Sequence, residues 1–162
     1  MERELIYIGS DHGGFVLKQS IKKYLDRKGI AYEDVGSDST EIVRYPNYAV
    51  EVAKAVSEGR ASRGILICST GIGMSIVANR FKGIRASLCT DSYMGKMTRA
   101  HNDSNVLCLG GKITGELEAL DILENWLSTP FEGGRHCISL NLLEELDHGQ
   151  AADPEEKTVI AK

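Results

Sequence analysis

Several things are scarce in this chain, and each scarcity removes a class of function. Of 162 residues only 3 are proline and 6% are aromatic, and no apolar run approaches the roughly 18 residues of a membrane-crossing helix. Positive charge is short as well: 19 Lys+Arg stand against 23 Asp+Glu, a net charge of −4. That balance gives no global basic footprint for a nucleic acid or a membrane surface, so an anionic ligand has to be gripped locally. Cysteines are present but unpaired in sequence: Cys68, Cys89, Cys108 and Cys137 contain no Cys-x-x-Cys, which excludes a disulfide framework and a zinc site of ordinary spacing. Met1-Glu2-Arg3-Glu4 runs straight into a strand-like segment, so no signal peptide and a cytoplasmic location are expected. The length suits one α/β-sized domain.

Glycine is what the chain has in excess, 17 residues of 162 against an average near ~7%. Apolar runs of four to six residues alternate with segments of helical period, separated by Gly, Asn, Asp or Pro. Strands are predicted at Leu5–Ile8, near Ala31–Val35, and at Gly64–Cys68, Ala86–Cys89 and Val106–Leu109. Between them fall helices: one carries Leu17, Ile21, Tyr24 and Leu25 and is closed by Gly29, and one begins at Pro46 and runs to Gly59. The others span Ser75–Phe81, Ser92–Ala100, Glu116–Leu127 and Ile138–Leu146. Gly64–Cys68 is apolar without alternation, as a strand covered on both faces should be. The expected architecture is a Rossmann-like, doubly wound five-stranded parallel sheet with helices on both faces, three layers in all, over residues 1–147. Residues 148–162 are polar and are expected to fray.

Ligands in such sheets bind at the carboxyl ends of the strands. There the sequence places Ser10-Asp11-His12-Gly13-Gly14, Cys68-Ser69-Thr70-Gly71-Ile72-Gly73, Thr90-Asp91 and Gly110-Gly111-Lys112, so nearly every unusual polar residue is expected on one rim. Singly, each has a plain structural reading: Asp11 as a helix cap, His12 as a satisfied loop histidine, His101-Asn102-Asp103 as a helix end, Arg135-His136 and Lys112 as exposed loop charges. Cys89 and Cys108 read as core residues. Cys68 differs, because it ends a strand just before a glycine-rich turn into a helix, where the dipole and backbone amides favour a thiolate. The turn itself can aim several N–H groups at a phosphate or a developing oxyanion. Known templates fail at named residues: a dinucleotide fingerprint needs Gly or Ala where Ile76 stands, a Cys-x5-Arg phosphatase loop needs Arg where Met74 stands, and a receiver domain needs Asp where Cys68 stands. No Walker loop is present. What is there suits proton abstraction beside a carbonyl of a small phosphorylated molecule. No carboxylate cluster for a hard cation is apparent, and neither a metal nor a cofactor is expected.

Ser10-Asp11-His12-Gly13-Gly14, Tyr45-Pro46, Gly64 through Ile76, Gly83-Ile84-Arg85-Ala86, His101-Asn102-Asp103 and Glu132-Gly133-Gly134-Arg135-His136 also occur in one known family in this order. Over residues 5–147 the chain resembles the type B ribose-5-phosphate isomerases, a family that includes galactose-6-phosphate and allose-6-phosphate isomerases. The resemblance implies cofactor-free interconversion of ribose 5-phosphate and ribulose 5-phosphate on a homodimer, with sites shared between subunits and pairing into tetramers as a further option. By the same resemblance Cys68 would shuttle a proton between carbons 1 and 2, and the amides from Gly71 through Gly73 and Met74 to Ser75 would hold the enediolate oxygen. His101, helped by Thr70 and Asp11, would open the sugar ring. Asn102 would bind sugar oxygens, His12, Lys112 and Arg135 would hold the phosphate, and Tyr45 and Ser69 would also contact the substrate. Relatives that use a Glu base place it where Met74 and Ser75 stand, so this chain falls in the cysteine branch.

Two departures bear on the substrate. Ser139 replaces a second Arg, and Lys112 stands where Arg is familiar, giving a point charge rather than a bidentate fork. Isomerases of allose, galactose or erythrose phosphate therefore stay open as alternatives, as does a non-catalytic sugar-phosphate sensor.

Overall fold

The computed structural model describes residues 4–150. The chain alternates β1 (Leu5–Ser10), α1 (Phe15–Lys28), β2 (Ala31–Asp34), α2 (Tyr45–Ser57), β3 (Arg63–Cys68), α3 (Ile72–Ala78), β4 (Ala86–Leu88), α4 (Ser92–Asn102), β5 (Val106–Gly110), α5 (Glu116–Ser128) and α6 (His136–Asp147). The five strands form one parallel sheet in the order β2-β1-β3-β5-β4, which is the doubly wound architecture expected. The fraying expected after Asp147 falls, from residue 151 on, outside the described residues.

Two apolar layers hold the sheet. On one face Leu17, Ile21 and Leu25 of α1 and Ala119, Ile122, Leu123 and Trp126 of α5 pack on Ile6, Ile8, Ile65, Ile67, Leu107 and Leu109. On the other, Ala49, Val52 and Ala53 of α2 and Met74 and Ala78 of α3 pack on Leu66, Val106 and Cys108. Being covered on both faces is why β3 and β5 read as unbroken apolar runs. Gly29 ends α1 in the left-handed conformation (φ 67°), and its N–H returns to the last turn, as its position predicts. Pro46 lies in the first turn of α2, where its missing N–H costs nothing.

Two elements depart from the sequence reading. α3 begins at Ile72, three residues before the predicted Ser75, because only Gly71 takes the left-handed conformation (φ 78°) and the chain after it is already helical. α6 buries none of its residues, and Ile138, Leu142, Leu143 and Leu146 are exposed on it. α6 touches its own chain mainly through His136, stacked on His101, and Asp147, which accepts Gly83 N–H at 2.7 Å, and leaves an exposed apolar stripe.

Candidate active site

The register sets Ser10 beside Ile67 and Cys68 beside Gly110, so the carboxyl ends of β1, β3 and β5 lie side by side at the centre of the sheet. Backbone hydrogen bonds tie the three loops leaving them: Asp11 N–H donates to Ile67 O (3.2 Å), Gly111 N–H to Cys68 O (2.8 Å) and Lys112 N–H to Ser69 O (3.0 Å). The approach is so close that a Cβ on Gly14 would stand 2.3 Å from the Ile67 carbonyl oxygen. Asp11 is buried, and its Oδ1 accepts from the Gly13 (2.9 Å) and Gly14 (3.2 Å) amides. It thus shapes the loop into α1, the capping reading, while its second carboxylate oxygen makes no hydrogen bond among the described residues. The neighbouring Ser10 hydroxyl is buried without a partner among the described residues, a feature with no signal in the sequence.

Cys68 sits at the base of this rim, 5% exposed, and its Sγ accepts the Gly71 N–H at 3.1 Å. Thr70 Oγ1 accepts the Ile72 N–H (3.3 Å), and Ser75 N–H returns to Gly71 O (3.1 Å). Among the described residues this leaves the Gly73 and Met74 amides without an acceptor at the start of α3, the usual consequence of beginning a helix. The oxyanion turn expected over Gly71–Ser75 is therefore narrower: two free donors, with the others occupied. The Tyr45 ring covers the same turn, 2.8 Å from where a Gly73 Cβ would be. His12 Nδ1 accepts from Val43 N–H (3.3 Å), so a neutral imidazole carries its proton on Nε2. Lys112 is exposed on the adjoining loop. The other strand cysteines are structural, as expected: burial pushes the Cys89 thiol up to about 12 and the Cys108 thiol well above its ordinary value.

The expectation of a single rim fails for His101, Asn102 and Arg135. α4 leaves the carboxyl end of β4, capped by Asp91 accepting Met94 N–H (2.9 Å), and its 11 residues run back across the sheet, a rise of roughly 16 Å. His101 and Asn102 thus lie at the amino-terminal edge, where Arg85, just before β4, donates to Asn102 O (3.1 Å) and Asp103 O (2.9 Å). Arg135 precedes α6 at the same end: its neighbour His136 stacks on the His101 ring at 4.2 Å, and Glu132 N–H donates to Ala100 O. A helix between parallel strands returns the chain to the opposite edge, so a helix-end residue cannot share a rim with strand-end residues of its own copy. A further convergence has no sequence signal: Glu132 Oε2 lies 3.4 Å from His136 Nε2 and 3.8 Å from His101 Nε2. No local pattern joins residues 101 and 132–136.

Comparison with known proteins gives the class. A family model described as Ribose/Galactose Isomerase matches residues 6–143. The chain is 47% identical to ribose-5-phosphate isomerase B of Escherichia coli over 131 residues, which covers 81% of this chain and 88% of that protein. It is 43% identical to a D-erythrulose-4-phosphate isomerase of Pectobacterium atrosepticum, covering 88% and 95%. Among solved structures, Clostridium thermocellum ribose-5-phosphate isomerase B superposes with a TM-score of 0.88 at 46% identity, covering 90% of this chain and 98% of that one. Fold and relatives together define an aldose–ketose isomerase. The chain belongs to the Ribose/Galactose Isomerase family.

Proposed function

We propose that the chain interconverts D-ribose 5-phosphate and D-ribulose 5-phosphate through a cis-enediolate, with Cys68 as the base. The observation that carries this reading is the pairing of Cys68 Sγ with two unoccupied amides, Gly73 and Met74, on one rigid turn. In the open-chain aldose Cys68 takes the proton from carbon 2 and returns it to carbon 1. The two amides hold the oxygen on which negative charge develops, an arrangement that needs no reorganisation during the step. His12 and Lys112 meet the phosphate on the same rim, and Tyr45 and Ser69 line the sugar.

Ring opening needs an acid–base group besides Cys68 and the phosphate-facing His12. His101, with Asn102 and Arg135, supplies it from the opposite edge of a second copy, so that a two-fold dimer carries two sites, each built from both chains. Thr70, whose hydroxyl proton is free while its oxygen accepts from Ile72, and Asp11, with one carboxylate oxygen unused, assist His101 across the interface. The exposed apolar stripe of α6 supports such an assembly, since it adjoins the same edge.

Lys112 and Ser139 favour a second reading, in which a shorter or longer aldose phosphate is preferred; the Pectobacterium relative named for a four-carbon sugar makes it concrete. Measuring kcat/KM across ribose, allose, galactose and erythrose phosphates decides between them: ribose 5-phosphate should lead. Exchange of the carbon-2 hydrogen with deuterated solvent should accompany turnover, whereas a sensor would bind without exchange.

A further inference from the structure

His101, Glu132 and His136 make a compact donor set at the amino-terminal edge. Glu132 Oε2 lies 3.4 Å from His136 Nε2 and 3.8 Å from His101 Nε2, and one donor atom from each residue falls within 4.8 Å of the other two. Donors of a tetrahedral cation with bonds of 2.0–2.2 Å stand about 3.4 Å apart, so two of the spacings are already close to those of a filled site. Three protein ligands leave the fourth position open to water. Two imidazoles and one carboxylate select a borderline cation such as Zn2+, Co2+ or Ni2+ over Mg2+ or Ca2+, which take oxygen ligands.

Two of the three residues are anchored by the surrounding backbone. His136 sits in the first turn of α6, four residues after Glu132, with its side chain 17% exposed; the Glu132 amide is tied to Ala100 O at 3.0 Å. The two rings lie nearly parallel, 15° apart, so their Nε2 lone pairs run alongside one another, and coordination requires one ring to turn about its Cβ–Cγ bond. His101, 39% exposed and at the last turn of α4, has the room to do so.

We propose that His101, Glu132 and His136 form a binding site for a borderline divalent cation, and that a cation held there withdraws His101 from ring opening and so inhibits the enzyme. The binding half stands on the donor geometry alone; the inhibitory half rests on the role proposed above for His101.

The test uses the full chain. Co2+ is added while its visible absorption is followed, Zn2+ binding is measured by calorimetry, and turnover of ribose 5-phosphate is recorded at each Zn2+ level. One cation per chain is expected, with a tetrahedral Co2+ spectrum and turnover falling as the site fills. Glu132→Gln and His136→Gln should each weaken Zn2+ binding about tenfold or more and relieve inhibition in step, while Cys137→Ser, which removes the exposed thiol beside His136, should leave both unchanged. Equal binding by the two ligand variants and the unmodified chain, loss of binding in Cys137→Ser, or no binding at all overturns the site. Binding that depends on Glu132 and His136 without any fall in turnover overturns the inhibitory half. Such binding in a chain that never isomerises ribose 5-phosphate sustains the site and overturns the isomerase reading instead.

Discussion

The two edges of the sheet are built on opposite plans. At the carboxyl edge three loops are locked by backbone hydrogen bonds around a buried thiol, and glycine lets them come within contact distance of one another. At the amino-terminal edge the polar groups are long side chains, His101, Glu132, Arg135 and His136, grouped beside a helix with no fully buried residue. One edge holds the buried Cys68 thiol and the turn with two free amides; the other holds two histidines, a carboxylate and an arginine. The two sets complement one another, which supports the proposal of a site completed by a second copy in reversed orientation.

The comparison can be broken from either side, and the largest effect should come from the rim's chemistry. Cys68→Ala should lower kcat by 10²-fold to 10⁴-fold or more while leaving the circular dichroism spectrum intact, since a positioned base contributes on that order. Retained turnover would remove Cys68 from its role.

Next comes the support beneath the rim. Lys18 Nζ is fully buried and donates to Asp34 Oδ1 and to Ser37 O, both at 2.6 Å, while Ser37 N–H pairs with Ser10 O at the end of β1. Asp34→Asn should destabilise the chain by about 3 kcal/mol in urea unfolding, because it leaves a buried ammonium without its counter-charge. Burial works against ionisation of Asp34, but hydrogen bonds from Lys18, Lys22 and the Gly36 N–H outweigh it and hold the folded pKa below the ordinary value. A carboxylate depressed in this way contributes stability that is fully present above its unfolded pKa, near ~3.9, and is lost as pH falls through the folded value. Below about pH 4 the parent chain should therefore lose stability more steeply than Asp34→Asn.

Glycine tests the difference in packing directly. Gly14→Ala drives a Cβ into the Ile67 carbonyl and should cost about 1–3 kcal/mol together with most of the activity. Gly134→Ala meets open space, and only its positive φ of 55° penalises it, by roughly 1 kcal/mol. The smallest change in folding free energy belongs to α6: Leu142→Ser, at an exposed position, should move stability by less than about 0.5 kcal/mol yet shift the oligomeric state measured by light scattering.

Much of this was legible in the sequence, for reasons that differ by element. The starts of β1, β4 and β5 are placed to the residue because each begins directly after a polar residue, Glu4, Arg85 and Asn105, and Gly29 and Pro46 mark helix limits through backbone constraints that belong to those residues alone. The rim loops were visible as glycine clusters after strands. The start of α3 was misplaced because Gly71-Ile72-Gly73 looks like continuous turn, when one left-handed glycine suffices. The two-edge separation of Cys68 from His101 was missed because strand ends and helix ends were placed on one rim, although alternating parallel topology sends them to opposite edges. The meeting of His101 with Glu132 and His136 was beyond reach, since it depends on how α6 folds back against α4 and leaves no periodic trace.

The central claim, one site made from two copies, is tested most directly by complementation. Cys68→Ala and His101→Gln chains are each purified, assayed alone, then co-refolded in equal amounts and assayed with ribose 5-phosphate. Random pairing makes half the dimers mixed, and each mixed dimer holds one site free of both substitutions, so about a quarter of the unmodified activity should return. A mixture no more active than its components would contradict the account.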